Sequence, residues 1–187
     1  MTWQELKDIC SSCSRCGLCN GRTNVVFGRG NINAELLFVG EGPGRQEDEQ
    51  GVPFVGQAGQ LLSLALKSCF FEENDYYIAN VIKCRPPNNR TPYPEECEAC
   101  LPYLRKQFAM IKPKIVVCLG GVAASNLIDK NARITAVRGR WIKKKGVFFY
   151  ATYHPAALLR DESKKIVMWQ DLKNVKMKLD EIRKESV

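Results

Sequence analysis

Two polar motifs rich in glycine or proline each follow a short apolar run, and this arrangement constrains the fold more than any other feature of the chain. Leu36 to Val39 leads into Gly40-Glu41-Gly42-Pro43-Gly44-Arg45-Gln46-Glu47-Asp48, and Val147 to Tyr153 leads into His154-Pro155-Ala156-Ala157-Leu158-Leu159. Short apolar runs bounded by turn residues read as buried strands. Open α/β sheets place their ligand sites just beyond the C-terminal ends of such strands.

The rest of the chain alternates strand and helix signals. Gly59 to Cys69 reads as a helix and Tyr76 to Lys83 as a second strand. Pro94 to Met110 reads as a helix with its proline in the first turn, where the missing N–H costs nothing. Ile115 to Leu119 is a third strand, ended by Gly120-Gly121 and a short helix through Asp129. Val147 to Tyr153 is the fourth, preceded by a basic turn around Lys144 to Gly146. From Lys165 onward, Ile166, Trp169, Leu172, Val175, Leu179 and Ile182 recur three or four apart, as in an amphipathic closing helix. The expected class is α/β: a three-layer α/β/α sandwich around a central, mostly parallel, four-stranded sheet. With 187 residues, 45% of them hydrophobic, and no biased linker, a single domain over 1–187 with an N-terminal cysteine-rich arm is expected.

Lysine and arginine number 28 against 20 acidic residues, a net charge of +8 that favours polyanionic partners. Lys143-Lys144-Lys145 beside Arg138 and Arg140 forms either a solvated hairpin or a phosphate contact. No N-terminal apolar stretch resembles a signal sequence, and no apolar run could span a bilayer. A cytoplasmic protein with no membrane partner is therefore expected.

Nine cysteines in such a chain point to metal ligation before disulfides. Cys10, Cys13, Cys16 and Cys19 fall at three-residue intervals, so spacing alone does not choose among the pairs, and zinc and iron-sulfur would both accept them. The last spacing of a ferredoxin run and the proline that follows it are absent, since Asn20 follows Cys19. Cys84, Cys97 and Cys100 offer the second half of a site closed by two distant pairs. Cys69 and Cys118 look like core residues.

Gly40-x-Gly42 after a strand invites a dinucleotide reading, but Arg45 stands where the third glycine belongs, and no Gly-Lys-Ser/Thr follows. The glycine loop, the Tyr153-His154-Pro155 motif and the separated cysteines together resemble the family 4 uracil-DNA glycosylases, the iron-sulfur, thermophile-type enzymes. The resemblance runs from Cys13 to the closing helix. It implies a structural [4Fe-4S] cluster on Cys13, Cys16, Cys84 and Cys100, with Cys10, Cys19 and Cys97 as bystanders. It also implies a flipped uracil held by Glu41, Gly42, Pro43, Glu47, Phe54, Asn80 and His154.

Removing a base requires flipping it, packing its face, reading its edge and stabilising the leaving anion. By resemblance Phe54 stacks on uracil, and Asn80 donates to O4 and accepts from N3–H, a pattern that cytosine reverses. His154, the only histidine, bonds O2 as charge develops. Leu158, Leu159 and Arg160 form either the wedge that fills the vacated stack or a buried helix start. Family 1 enzymes carry an aspartate where this chain has Gly42, so Glu41 and Glu47 are rivals for positioning the water. They also carry a thymine-excluding tyrosine where this chain has Gly44, which leaves that task to another group such as Glu47. Arg133 to Gly139 lacks the histidine-bearing insert of the covalently trapping relatives.

The expected activity is that of a monofunctional uracil-DNA glycosylase acting on single- or double-stranded uracil-containing DNA. The protein is expected to be a monomer, nucleoid-associated through DNA, with a sliding clamp as a candidate partner. The alternatives are an iron-sulfur redox or electron-transfer module and a zinc-ribbon nucleic-acid-binding protein. Both leave Phe54, Asn80 and His154 without roles.

Overall fold

The computed structural model describes residues 1–185. In chain order the elements are α1 (Trp3–Ser11), β1 (Arg29–Gly30), β2 (Leu36–Gly40), α2 (Arg45–Gln50), α3 (Gln57–Ser68), β3 (Tyr76–Asn80) and α4 (Pro94–Ile111). They continue with β4 (Ile115–Leu119), α5 (Gly121–Leu127), α6 (Ile134–Val137), β5 (Ile142–Lys144), β6 (Val147–Thr152), α7 (Pro155–Arg160) and α8 (Ser163–Glu185).

The sheet order is β1-β3-β2-β4-β6-β5. The four strands read from sequence form its parallel centre, β3-β2-β4-β6. The four-strand expectation falls short by two edge strands, because β1 pairs antiparallel with β3 and β5 antiparallel with β6. At two and three residues these edges are too short to show a period. The second strand also stops at Asn80 rather than Lys83.

Because side chains alternate across a strand, β2 sends Leu36 and Phe38 to one face and Leu37 and Val39 to the other. The first pair packs with Leu62 and Leu66 of α3 and Leu172 and Val175 of α8. The second packs with Leu101 and Leu104 of α4 and Ala123 and Ala124 of α5. Two apolar interfaces therefore sandwich the sheet, which gives the α/β/α layering.

The chain leaves β2 for β3 on one side and returns to β4 on the other. Loops after neighbouring strands thus diverge and open a crevice at their C-terminal ends. The end of α8 is tied down by Arg183, which pairs with Glu35 at 2.6 Å and Asp75 at 2.8 Å.

Candidate active site and cysteine centre

A cavity of about 800 Å³ opens at that crevice, lined by the loops that follow β2, β3 and β6. Glu41, Gly42, Pro43, Glu47, Phe54, Asn80 and His154, all anticipated from sequence, line it together. The structure further adds Asn89, Arg90 and Thr91 from the loop before α4. That loop's only local signal was its run of proline and asparagine.

Gly40 pairs with Asn80 across β2 and β3. A β-carbon at Gly40 would lie 2.5 Å from Asn80 Oδ1 and 2.6 Å from the tip of the Phe54 ring, so only glycine lets both side chains approach the strand end. Phe54 has φ +55° and lies 5.7 Å from the His154 ring, centroid to centroid. At Gly120, with φ +93°, a β-carbon would sit 2.9 Å from His154 Cβ. This glycine allows the turn after β4 to pass close to the histidine.

Three acids crowd the glycine loop, and each has a different environment. Asp48 is buried and accepts from the Thr23 backbone N–H at 2.9 Å, which anchors the segment after the cysteine-rich arm. Glu47 Oε1 accepts from the backbone N–H groups of Val55 at 3.0 Å and Gly56 at 2.8 Å, holding the Phe54 loop. Glu41 faces the cavity, where burial raises its pKa above the ordinary carboxylate value.

His154 caps α7: its Nδ1 accepts from the Ala156 N–H at 3.1 Å. That bond assigns the proton to Nε2, which is buried with no hydrogen-bond partner among the described residues. Burial, aided by the Arg160 charge, lowers the imidazole pKa to about 4. A neutral ring with a waiting N–H donor results. Among the described residues Asn80 Oδ1 is the other orphaned buried side-chain atom, an acceptor without a donor. Buried polar groups are nearly always paired, so two orphans on one cavity point to a ligand with a complementary edge.

Of the three residues at the mouth, Leu158 is 3% exposed and belongs to the core, whereas Leu159 is 47% exposed and lines the cavity with Arg160. The helix-start reading therefore describes Leu158. Beneath this helix Asp171, 3% exposed, accepts from Arg138 Nη1 at 3.0 Å, Tyr150 Oη at 3.1 Å and Thr152 Oγ1 at 2.7 Å. It ties the end of β6 to α8, a role no local sequence signal marked.

Lys143, Lys144 and Lys145 lie on the β5–β6 hairpin, and Lys143 sits over the Phe148 ring at 4.9 Å. Their turn precedes β6 and the cavity follows it, which separates the two by about 20 Å for a strand of this length.

A second cavity is lined by Cys13, Cys16, Cys84 and Cys100, joined by Cys10 and Cys19. Cys97 lies elsewhere, buried in the core. Two sulfurs receive N–H donors: Arg22 Nη1 to Cys84 at 3.4 Å, and the Lys83 backbone to Cys100 at 3.2 Å. Burial raises the thiols of both, and Arg22 and Lys83 respectively draw them down. Cys10 packs among Leu6, Phe27 and Tyr103, and burial pushes its thiol up to about 12. Among the described residues no three Cys, His, Asp or Glu side chains are gathered as one metal ion would need. No described helix is long and apolar enough to cross a membrane.

The family model described as the uracil DNA glycosylase superfamily matches residues 27–173. The chain is 45% identical over 185 residues to a type-4 uracil-DNA glycosylase from Thermotoga maritima, covering 94% of this chain and 95% of that one. It is 51% identical over 158 residues to a type-4 uracil-DNA glycosylase from Archaeoglobus fulgidus, covering 79% and 78%. A type-5 uracil-DNA glycosylase from Pyrobaculum aerophilum is 32% identical over 146 residues, covering 69% of this chain and 64% of that one.

Proposed function

Because the chain belongs to the uracil-DNA glycosylase superfamily and is similar over most of its length to type-4 members, we infer that it is a uracil-DNA glycosylase. It hydrolyses the N-glycosidic bond of deoxyuridine in DNA, releases uracil and leaves an abasic site for repair. The observation that carries the site assignment is the pair of orphans: an acceptor on Asn80 and a donor on His154, facing one cavity.

A flipped uracil in that cavity gives its N3–H to Asn80 Oδ1 and receives the amide N–H at O4. Its face packs on Phe54. His154 gives its Nε2–H to O2. As the C1′–N1 bond breaks, electron density moves onto the base, and a fixed neutral donor in a water-poor site gains strength as that charge grows. No proton has to be transferred for this to work, and a pKa near 4 keeps the imidazole neutral. Uracil leaves as an anion held at O2. The sugar cation is captured by water, and the water's proton passes to Glu41, which faces the cavity with its pKa raised by burial.

Glu47 is engaged with the backbone of residues 55 and 56 and keeps Phe54 in place. A β-carbon at Gly44 would lie 2.8 Å from Glu47 Oε2, so this carboxylate fills the space a side chain at that position would take. It is the group that meets the methyl of thymine. Leu159 is the wedge, with Arg160 beside it for a phosphate. Protein with uracil-containing duplex should yield free uracil and alkali-labile sites in equal amounts; strand cleavage without base release would overturn this assignment.

The donor set of the second cavity fits an iron-sulfur cluster held by Cys13, Cys16, Cys84 and Cys100. N–H donors aimed at two of the sulfurs suit thiolates. A four-iron cage takes four thiolates, and these four come from the N-terminal arm, the segment after β3 and α4 around one cavity. When bound, the cluster supplies a cross-link between the N-terminal arm and the sheet. The two cavities share no lining residue, which supports a structural role. The protein acts as a monomer in the cytoplasm, on DNA, and a sliding clamp is a partner of that work.

A further inference from the structure

Lys83 stands between the two cavities and has no place in the chemistry above. It is 1% exposed, among the largest fully buried side chains of the protein. Its Nζ donates to the backbone carbonyl of Asn80 at 2.9 Å and to Gln107 Oε1 at 2.7 Å. Gln107 in turn donates from Nε2 to the Phe27 carbonyl at 3.0 Å, so the brace reaches from β3 through α4 to the segment before β1. The backbone N–H of the same lysine donates to Cys100 Sγ, and the next residue is Cys84.

A buried ammonium needs acceptors, and the Asn80 carbonyl and Gln107 Oε1 hold it in one place while its own backbone N–H, 3.2 Å from Cys100 Sγ, fixes the residue to the cysteine centre. The stretch from Asn80 to Cys84 therefore has one end in each cavity. Between them, Val81 and Ile82 donate to the carbonyls of Gly40 at 2.9 Å and Glu41 at 3.1 Å, so the same stretch also carries the glycine loop.

We propose that Lys83 is a positioning residue that links the two sites: its backbone N–H is held at Cys100 and its ammonium holds the backbone carbonyl of Asn80, which aims the amide at the base. The link rests on the reading of Asn80 and the cysteines given above. It makes the centre a determinant of base recognition as well as a clip. Lys83→Met keeps the length and removes both the charge and the donors. The Asn80 carbonyl then stays buried without its donor, and the residue is free to turn.

The test is a double-mutant cycle on cluster-loaded protein, Lys83→Met against Asn80→Ala, read by single-turnover uracil release and by the rate at which a ferrous-iron chelator bleaches the visible chromophore. Lys83→Met should slow uracil release roughly tenfold, and the double variant should be no slower than Asn80→Ala alone. The chromophore of Lys83→Met should bleach several times faster than the parent's, because the brace that keeps the Lys83 N–H on Cys100 is loosened. Parental uracil release by Lys83→Met, effects that multiply with those of Asn80→Ala, or unchanged bleaching would each overturn the link. If Lys83→Met does not fold, Gln107→Met, which removes one acceptor of the ammonium, takes its place in the same cycle with the same expected pattern. Parental release by Asn80→Ala itself would instead sink the pocket reading on which the link rests.

Discussion

Asn80 and His154 each bury one polar atom without a partner among the described residues, an acceptor Oδ1 and a donor Nε2, at the ends of β3 and β6 on the same cavity. Uracil carries the matching groups, N3–H and O2. Asn80→Asp should therefore slow uracil release and raise the rate on cytosine relative to uracil, since a carboxylate accepts from an amino group but cannot donate to O4. Single-turnover rates on paired uracil and cytosine substrates give the ratio; an unchanged ratio would remove Asn80 from base reading.

The pH profile separates the histidine from the glutamate. With its pKa near 4, His154 is neutral across the working range and contributes no limb at the ordinary imidazole value of 6.5. Glu41, raised by burial, is needed ionised, so activity should fall as pH drops through its raised value and recover above it. The single-turnover rate should lose that acid limb in Glu41→Gln and stay flat through pH 6.5. A limb that persists in Glu41→Gln would assign the titration to another group.

Glu41 and Glu47 should also differ in stability. Glu47→Ala leaves two backbone N–H groups without their acceptor and should cost about 1–3 kcal/mol in denaturant unfolding, together with activity through a loosened Phe54. Glu41→Ala should reduce activity while leaving unfolding close to the parent. Equal stability losses would contradict the division of labour.

Much of this was legible in the sequence because the signals were local. The parallel strands announced themselves as apolar runs, and the glycine loop and His154 motif followed them directly. The division among Glu41, Glu47 and Asp48 was not legible, since it depends on contacts with residues 55, 56 and 23 that only the fold brings together. Leu158 and Leu159 are neighbours of one type, and their opposite fates follow from where α7 meets the core. Lys83 looked like the polar end of a strand; its acceptor Gln107 lies on α4.

DNA affinity should depend on the rim of the cavity and not on the lysine hairpin. Arg160→Ala should weaken binding and shrink the log-log salt slope by about 0.9, one phosphate contact on duplex DNA. Neutralising Lys143, Lys144 and Lys145 together should leave that slope at the parent value, because their turn lies at the far end of β6 from the cavity. A reduced slope in the triple variant would place DNA on the hairpin.

Protein prepared without oxygen should be brown, with about four iron atoms per chain, and Cys84→Ala or Cys100→Ala should lose both iron and solubility. Colourless protein with stoichiometric zinc would refute the cluster.

The central claim is that the orphaned donor of His154 stabilises uracil as it leaves, and single-turnover release of uracil from DNA by folded, cluster-loaded His154→Ala tests it most directly. Loss of such a donor costs about 2.7–4 kcal/mol, so the rate should fall by roughly 10²- to 10³-fold while DNA binding is retained. Release at the parent rate would contradict the account.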